Sequence, residues 1–302
     1  MIQYILLLLI GLLGLWYSAE KTVENSEVLI KKLGVSGFVF GAVFVSVSTG
    51  LPEIATALIS SYQGVPELSA GDIIGSTFVN LTLVLGVTIL AAKKIELKEK
   101  DTDLIKKSSL ILAGSVTILY FTQALNAFNA LVLGGLYLAF LTDMKHIYSP
   151  SETKESDIGL KLLKTVLGLA GLLISARLMV FSAVSIGEIL QIPVEVLGAT
   201  VVAVGTGLPE LAFEVTSVKN GDNSLALGDI FGSAVVNITL VTGLLGVFNT
   251  VNLEGLLSTL ALILFTTLGI LGLSMKKSLN KIDGILLLFA FAGYLLLHFG
   301  LF

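Results

Sequence analysis

Two glutamates each follow a proline in the same five-residue string, Thr49-Gly50-Leu51-Pro52-Glu53 and Thr206-Gly207-Leu208-Pro209-Glu210, and both strings lie inside apolar stretches. A carboxylate surrounded by hydrocarbon is costly unless something offsets its charge. Proline has no amide hydrogen and clashes with the carbonyl one turn earlier, so carbonyls near Ser48, Thr49, Gly205 and Thr206 are expected to lose their helical partners. At that depth irregular backbone survives only where protein, a cavity or an ion satisfies it. Two carboxylates with freed carbonyls form a hard oxygen donor set, which suits calcium, sodium or magnesium and not zinc or copper. Ser76 and Asn80 are four residues apart, as are Ser233 and Asn237, so each pair shares a helical face and can add oxygens to the same centre. Asp72 and Asp229, near the expected starts of apolar helices, read as helix caps, with direct ion binding as the alternative. Glu214 stands one turn after Glu210; it is expected to line an approach to the site or to snorkel toward Lys219 and the headgroups.

The elements that carry these residues are membrane helices. Of 302 residues, 55% are hydrophobic and 13% charged, with a mean hydropathy of +0.95, which excludes an ordinary soluble surface. A spanning helix needs about 20 mostly apolar residues, and the sequence supplies ten such spans, at about 3–19, 37–61, 68–92, 104–123, 126–142, 159–183, 194–218, 224–246, 254–274 and 282–302. The first lacks a basic leader and a small-residue cleavage site, so it is expected to be a span and not a removed signal. Without cysteine there are no disulfides and no thiolate metal sites. With the N-terminus outside, 17 of the 18 basic residues fall on the cytoplasmic side, the exception being Arg177 within the sixth span. By the positive-inside rule both termini are expected to be extracellular, in the cell membrane.

Displacing the sequence by 157 residues aligns 41–86 with 198–243 without a gap, and 24 of the 46 pairs are identical. Each half holds five expected spans, and an odd number turns the second copy over. The expected fold is therefore all-α and polytopic, ten transmembrane helices in two inverted-topology repeats, with the site at their interface near the midplane. The first repeat covers 1–142, a cytoplasmic linker 143–157, and the second repeat 158–302. The glycine-rich strings are not nucleotide loops, because no strand precedes them and no Gly-Lys-Ser/Thr follows.

On these strings the sequence resembles the cation/calcium antiporter superfamily, in particular its prokaryotic sodium/calcium exchangers, along essentially the whole chain. Thr49 to Glu53 and Thr206 to Glu210 are similar to that family's Gly-Thr-Ser-Leu-Pro-Glu motif, and Gly71 to Ser76 and Gly228 to Ser233 to its following segments. The resemblance implies calcium held by Glu53, Glu210 and the carbonyls of Thr49 and Thr206. It also implies flanking sodium sites using the carbonyls of Ser46 and Ala203 and the hydroxyls of Ser76 and Ser233, with Asn80 and Asn237 at central polar positions. Mobile spans one and six would slide past a core of spans two, three, seven and eight. Where the family has serine after threonine this chain has Gly50 and Gly207, so each sodium site lacks one hydroxyl. The expected function is secondary active exchange of calcium for sodium by a monomeric transporter. That makes it no enzyme, with no prosthetic group and no nucleic acid, and with lipid and inorganic cations as its partners. Proton-coupled calcium exchange is the alternative, through Glu53, Glu210 or Glu214, and a cation channel is a weaker one, because the symmetry is two-fold and no pore loop repeats.

Overall fold

In the computed structural model, residues 1–32, 50–143, 158–221 and 223–299 are described. Apolar runs of helical length fold as α1 (Ile2–Lys32), α2 (Leu51–Tyr62), α3 (Pro66–Ala92), α4 (Glu99–Thr122), α5 (Ala127–Asp143) and α6 (Ile158–Leu190). The chain continues as α7, made of Val194–Leu197, a π turn Gly198–Val202 and Ala203–Lys219, then α8 (Asn223–Phe248), α9 (Leu257–Leu273) and α10 (Lys281–His298). Among the described residues seven helices are long and apolar enough to cross a membrane, and α7 makes an eighth if the pieces on either side of its 42° bend count as one span. Of the expected second span only the part from Gly50 onward is described, and the expected linker beyond Asp143 lies outside the described residues.

The core lies around α3 and α8. Their apolar windows are 83% and 78% buried, against 22–39% for the other spans, whose outer faces carry exposed side chains such as Phe121, Leu131, Phe265 and Phe289. With hydrocarbon as the solvent, such faces cost nothing and the polar groups turn inward. A second hydrophobic cluster joins Leu8 and Leu15 of α1 to Leu172, Ala176 and Met179 of α6. Small residues let these two helices approach closely. A Cβ on Gly11 would fall 2.9 Å from Met179 Cβ, and one on Gly171 would fall 2.6 Å from Ser18 Oγ.

Repeat equivalence extends to local structure. α3 contains a π turn at Asn80–Val84 and α8 one at Asn237–Val241, which are the same repeat positions. Thr82 and Thr239, also equivalent, each donate a hydroxyl to the carbonyl four residues back, at 2.6 and 2.5 Å. The turns after α2 and α7 use Gly64 (φ 73°) and Gly221 (φ 89°), where a left-handed backbone favours glycine.

Two short antiparallel ribbons tie the halves together. β1 (Lys94–Glu96), between α3 and α4, pairs with β4 (Ser278–Asn280), between α9 and α10. β2 (Ala124–Leu125), between α4 and α5, pairs with β3 (Val251–Asn252), between α8 and α9. Strands β1 and β4 both lead into capped helices. Asp101 accepts from the Lys98 amide at 3.0 Å, and Asp283 accepts from the Asn280 amide at 2.9 Å while pairing with Lys276. Lys94, 3.0 Å from Glu96, holds that exposed carboxyl below the ordinary carboxylate range.

Candidate cation site

Glu53 sits in the first turn of α2, capped by Gly50, with Pro52 where a missing amide hydrogen costs nothing. Glu210 sits within α7 directly after Pro209, where the helix bends by 42°. Glu53 is 1% exposed and Glu210 partly buried, and the Oε2 atom of each is buried without a hydrogen-bond partner. Each glutamate meets the opposite half: Glu53 lies beside Asn237, and Glu210 beside Asn80.

Around them other buried polar atoms also lack partners: both amide atoms of Asn80, Nδ2 of Asn237, Oγ of Ser233 and Oδ2 of Asp72. Buried polar atoms are normally hydrogen-bonded, and in a bilayer the cost of leaving them bare is larger. Among them the neutral oxygens Asn80 Oδ1 and Ser233 Oγ, with Oε2 of Glu53 and of Glu210, form a donor set that a cation could fill. Among the described residues no three His, Cys, Asp or Glu side chains group as a metal cluster. Glu53 and Glu210 would therefore have to be completed by neutral oxygens.

Ser76 and Thr206, one from each half, bring their hydroxyls within 3.2 Å. Asp72 Oδ1 accepts at 3.3 Å from each of them. Thr206 can equally donate to the carbonyls of Val202 at 3.2 Å or Ala203 at 3.3 Å, and its single proton serves one acceptor at a time. Gly207 faces α3, where a Cβ would stand 3.2 Å from Val79 Cγ1 and 4.0 Å from Asn80 Oδ1. Thr49 and Ser46, and the carbonyls near Ser48, lie outside the described residues. The remaining expected site residues, Glu53, Ser76, Asn80, Ala203, Thr206, Glu210, Ser233 and Asn237, all fall on α2, α3, α7 and α8.

Two sequence expectations are corrected. Asp72 does not cap a helix: it is the seventh residue of α3, fully buried, and bonded to Ser76 and Thr206. Asp229 is likewise inside α8, beside Glu214. Nor does Glu214 snorkel: it is 0% exposed, with both carboxylate oxygens buried and unpartnered. The signal for Asp72 and Asp229 was present in the repeat, which keeps Asp at both places, but a capping reading explained it without the tertiary contact. The π turns carry no recognisable sequence signal.

The fold and site define a class, a polytopic helical membrane protein whose two homologous halves bring buried carboxyls and amides together. The chain belongs to the sodium/calcium exchanger protein family, which it matches over residues 3–143 and 161–300. It is 26% identical to the sodium/calcium exchanger MaX1 of Methanosarcina acetivorans, over 97% of this chain and 98% of that one. It is 30% identical to the putative antiporter CaxA of Alkalimonas amylolytica, over 96% and 97% of the two chains. A solved structure of the sodium-calcium exchanger NCX_Mj, soaked with sodium and strontium, is similar with a TM-score of 0.66 and 28% identity over 96% of this chain and 97% of that one.

Proposed function

We propose that this protein exchanges calcium for sodium across the cell membrane by alternating access, at a midplane site where Glu53 and Glu210 hold the divalent ion. The observation that carries this reading is the set of buried, partnerless oxygens contributed by both halves, Glu53 and Asn80 from the first and Glu210 and Ser233 from the second. Two carboxylates offset one divalent charge, and the relatives named above are exchangers and an antiporter. In this reading Thr49 and Thr206 add carbonyls to calcium. Ser46, Ser76, Ala203 and Ser233 serve sodium, and Asn80 and Asn237 complete the centre.

The ten-span, inverted-repeat arrangement belongs to this proposal and has independent support from the ribbons. The third loop of the first half pairs with the fourth loop of the second, and the fourth with the third. Two halves with the same orientation would put those loops on opposite faces, whereas inverted halves put each pair on one face. The lysine distribution then makes the β1–β4 face cytoplasmic and both termini extracellular. α1 and α6, whose shared hydrophobic cluster also takes in Ala55, Leu68, Leu197 and Val202 of the core helices, are the elements that would slide against that core, with the chain working as a monomer.

A second reading, calcium exchange driven by protons, draws on one observation: Glu214 and Asp229 add carboxyls beyond the two that one calcium ion offsets. Calcium uptake into proteoliposomes, with sodium, potassium and proton gradients imposed one at a time, separates the two. An outward sodium gradient alone is expected to drive uptake. Uptake driven by a proton gradient and indifferent to sodium would replace the first reading with the second.

A further inference from the structure

The π turn of α7 creates a vacancy in the helix ladder, and one distant side chain fills it. In a regular α-helix the amide of Ala203 would bond the carbonyl of Ala199, four residues back. Instead it bonds the carbonyls of Gly198 and Thr200, and bypasses Ala199. The freed Ala199 oxygen accepts the hydroxyl of Tyr294, one turn before the C-terminal end of α10. Tyr294 is 0% exposed, and its ring is held on two sides, by Phe78 of α3 with centroids 4.6 Å apart and by His298 with centroids 4.6 Å apart. His298 is itself fixed by Thr259 of α9, at 2.9 Å from Nε2 to Oγ1. Gly75 of α3 packs on the same carbonyl, where an added Cβ would come within 2.3 Å of the Ala199 oxygen.

We propose that Tyr294 is a positioning residue for the cation site, whose hydroxyl holds the α7 π turn and thereby sets the rotation of Ala203, Thr206 and Glu210 toward α3. This inference rests on the cation reading above. π turns recur at functional sites because one inserted residue re-aims everything beyond it. Without a donor at its carbonyl, Ala199 competes for the Ala203 amide, and a turn that relaxes to α geometry rotates the following residues by about 100°. Thr206 would then leave Asp72 and Ser76, and Glu210 would turn from Asn80. The sequence repeat places Tyr137 at the equivalent position of the first half, also buried.

Tyr294→Phe removes the hydroxyl and keeps the ring between Phe78 and His298. Hydrogen–deuterium exchange of the purified full chain reads the turn without any ion, and calcium uptake in proteoliposomes reads the site. Faster exchange confined to 198–206 is expected, with the half-saturating calcium concentration raised about tenfold, the effect of one lost buried hydrogen bond, and the maximal rate and melting temperature little changed. Unchanged exchange at 198–206, or faster exchange with unchanged half-saturation, overturns the proposal. If the unmodified protein took up no calcium, the cation reading would fall while the exchange measurement still decided whether Tyr294 holds the turn.

Discussion

The two halves of this protein carry one motif in two backbone settings. In the first half Pro52 lies in the opening turn of α2 and Glu53 follows it, buried, with Gly50 as cap. In the second half Pro209 lies within a helix already running from Ala203, and the result is a 42° bend. Identical residues thus stand in different backbone settings, one at a helix start and one at a bend. The side chains diverge as well. Ala57 in the first half corresponds to Glu214 in the second, and the buried acid has no partner for either oxygen. Asp72 is bonded across the interface to Thr206, whereas Asp229 lies beside Glu214 within its own half. A duplicated sequence therefore supplies two equivalent carboxylates, which the proposed site assigns to one ion, and leaves the second half with a third acid, Glu214, that the first half lacks.

Removing the surplus tests the difference most strongly. Glu214→Ala gives the second half the residue of the first. A buried, unsatisfied polar group costs about 1–3 kcal/mol, and groups kept at such a cost are commonly functional. The variant is expected to melt at a higher temperature in detergent and to exchange calcium more slowly. Lower stability with unimpaired exchange would make Glu214 an ordinary packing residue and the asymmetry incidental.

A smaller effect is expected where the halves agree. Gly50→Ser with Gly207→Ser would add one hydroxyl to each proposed flanking sodium position, and sodium dependence of calcium flux is expected to become steeper. Val79 must yield slightly to the new Cβ at Gly207, 3.2 Å from its Cγ1, so a loss of about 1 kcal/mol in stability is expected. The same sodium affinity and steepness in the double variant would mean that water or backbone already completes those positions.

Much of this was legible in the sequence because two periodicities were strong: long apolar runs, and a 157-residue repeat that kept Pro-Glu, Gly-Asp and Ser-x-x-x-Asn together. Those placed Glu53, Glu210, Ser76, Ser233, Asn80 and Asn237 on four helices that do converge. What the sequence did not reveal depends on neighbours distant along the chain. Asp72 looks like a cap until Thr206, 134 residues away, is seen against it. Glu214 looks like a headgroup contact until its depth is known. The π turns depend on which amide skips which carbonyl, and the tyrosine that stabilises one of them lies 95 residues on.

The central claim is that both halves contribute to a single calcium ion, and calorimetric titration of calcium into the purified protein tests it most directly. One ion per chain is expected to bind the unmodified protein, and Glu53→Gln and Glu210→Gln are each expected to abolish that binding while the protein stays folded. A single variant that still binds calcium with unreduced affinity would show that the other glutamate holds the ion alone, and would contradict a site shared between the halves.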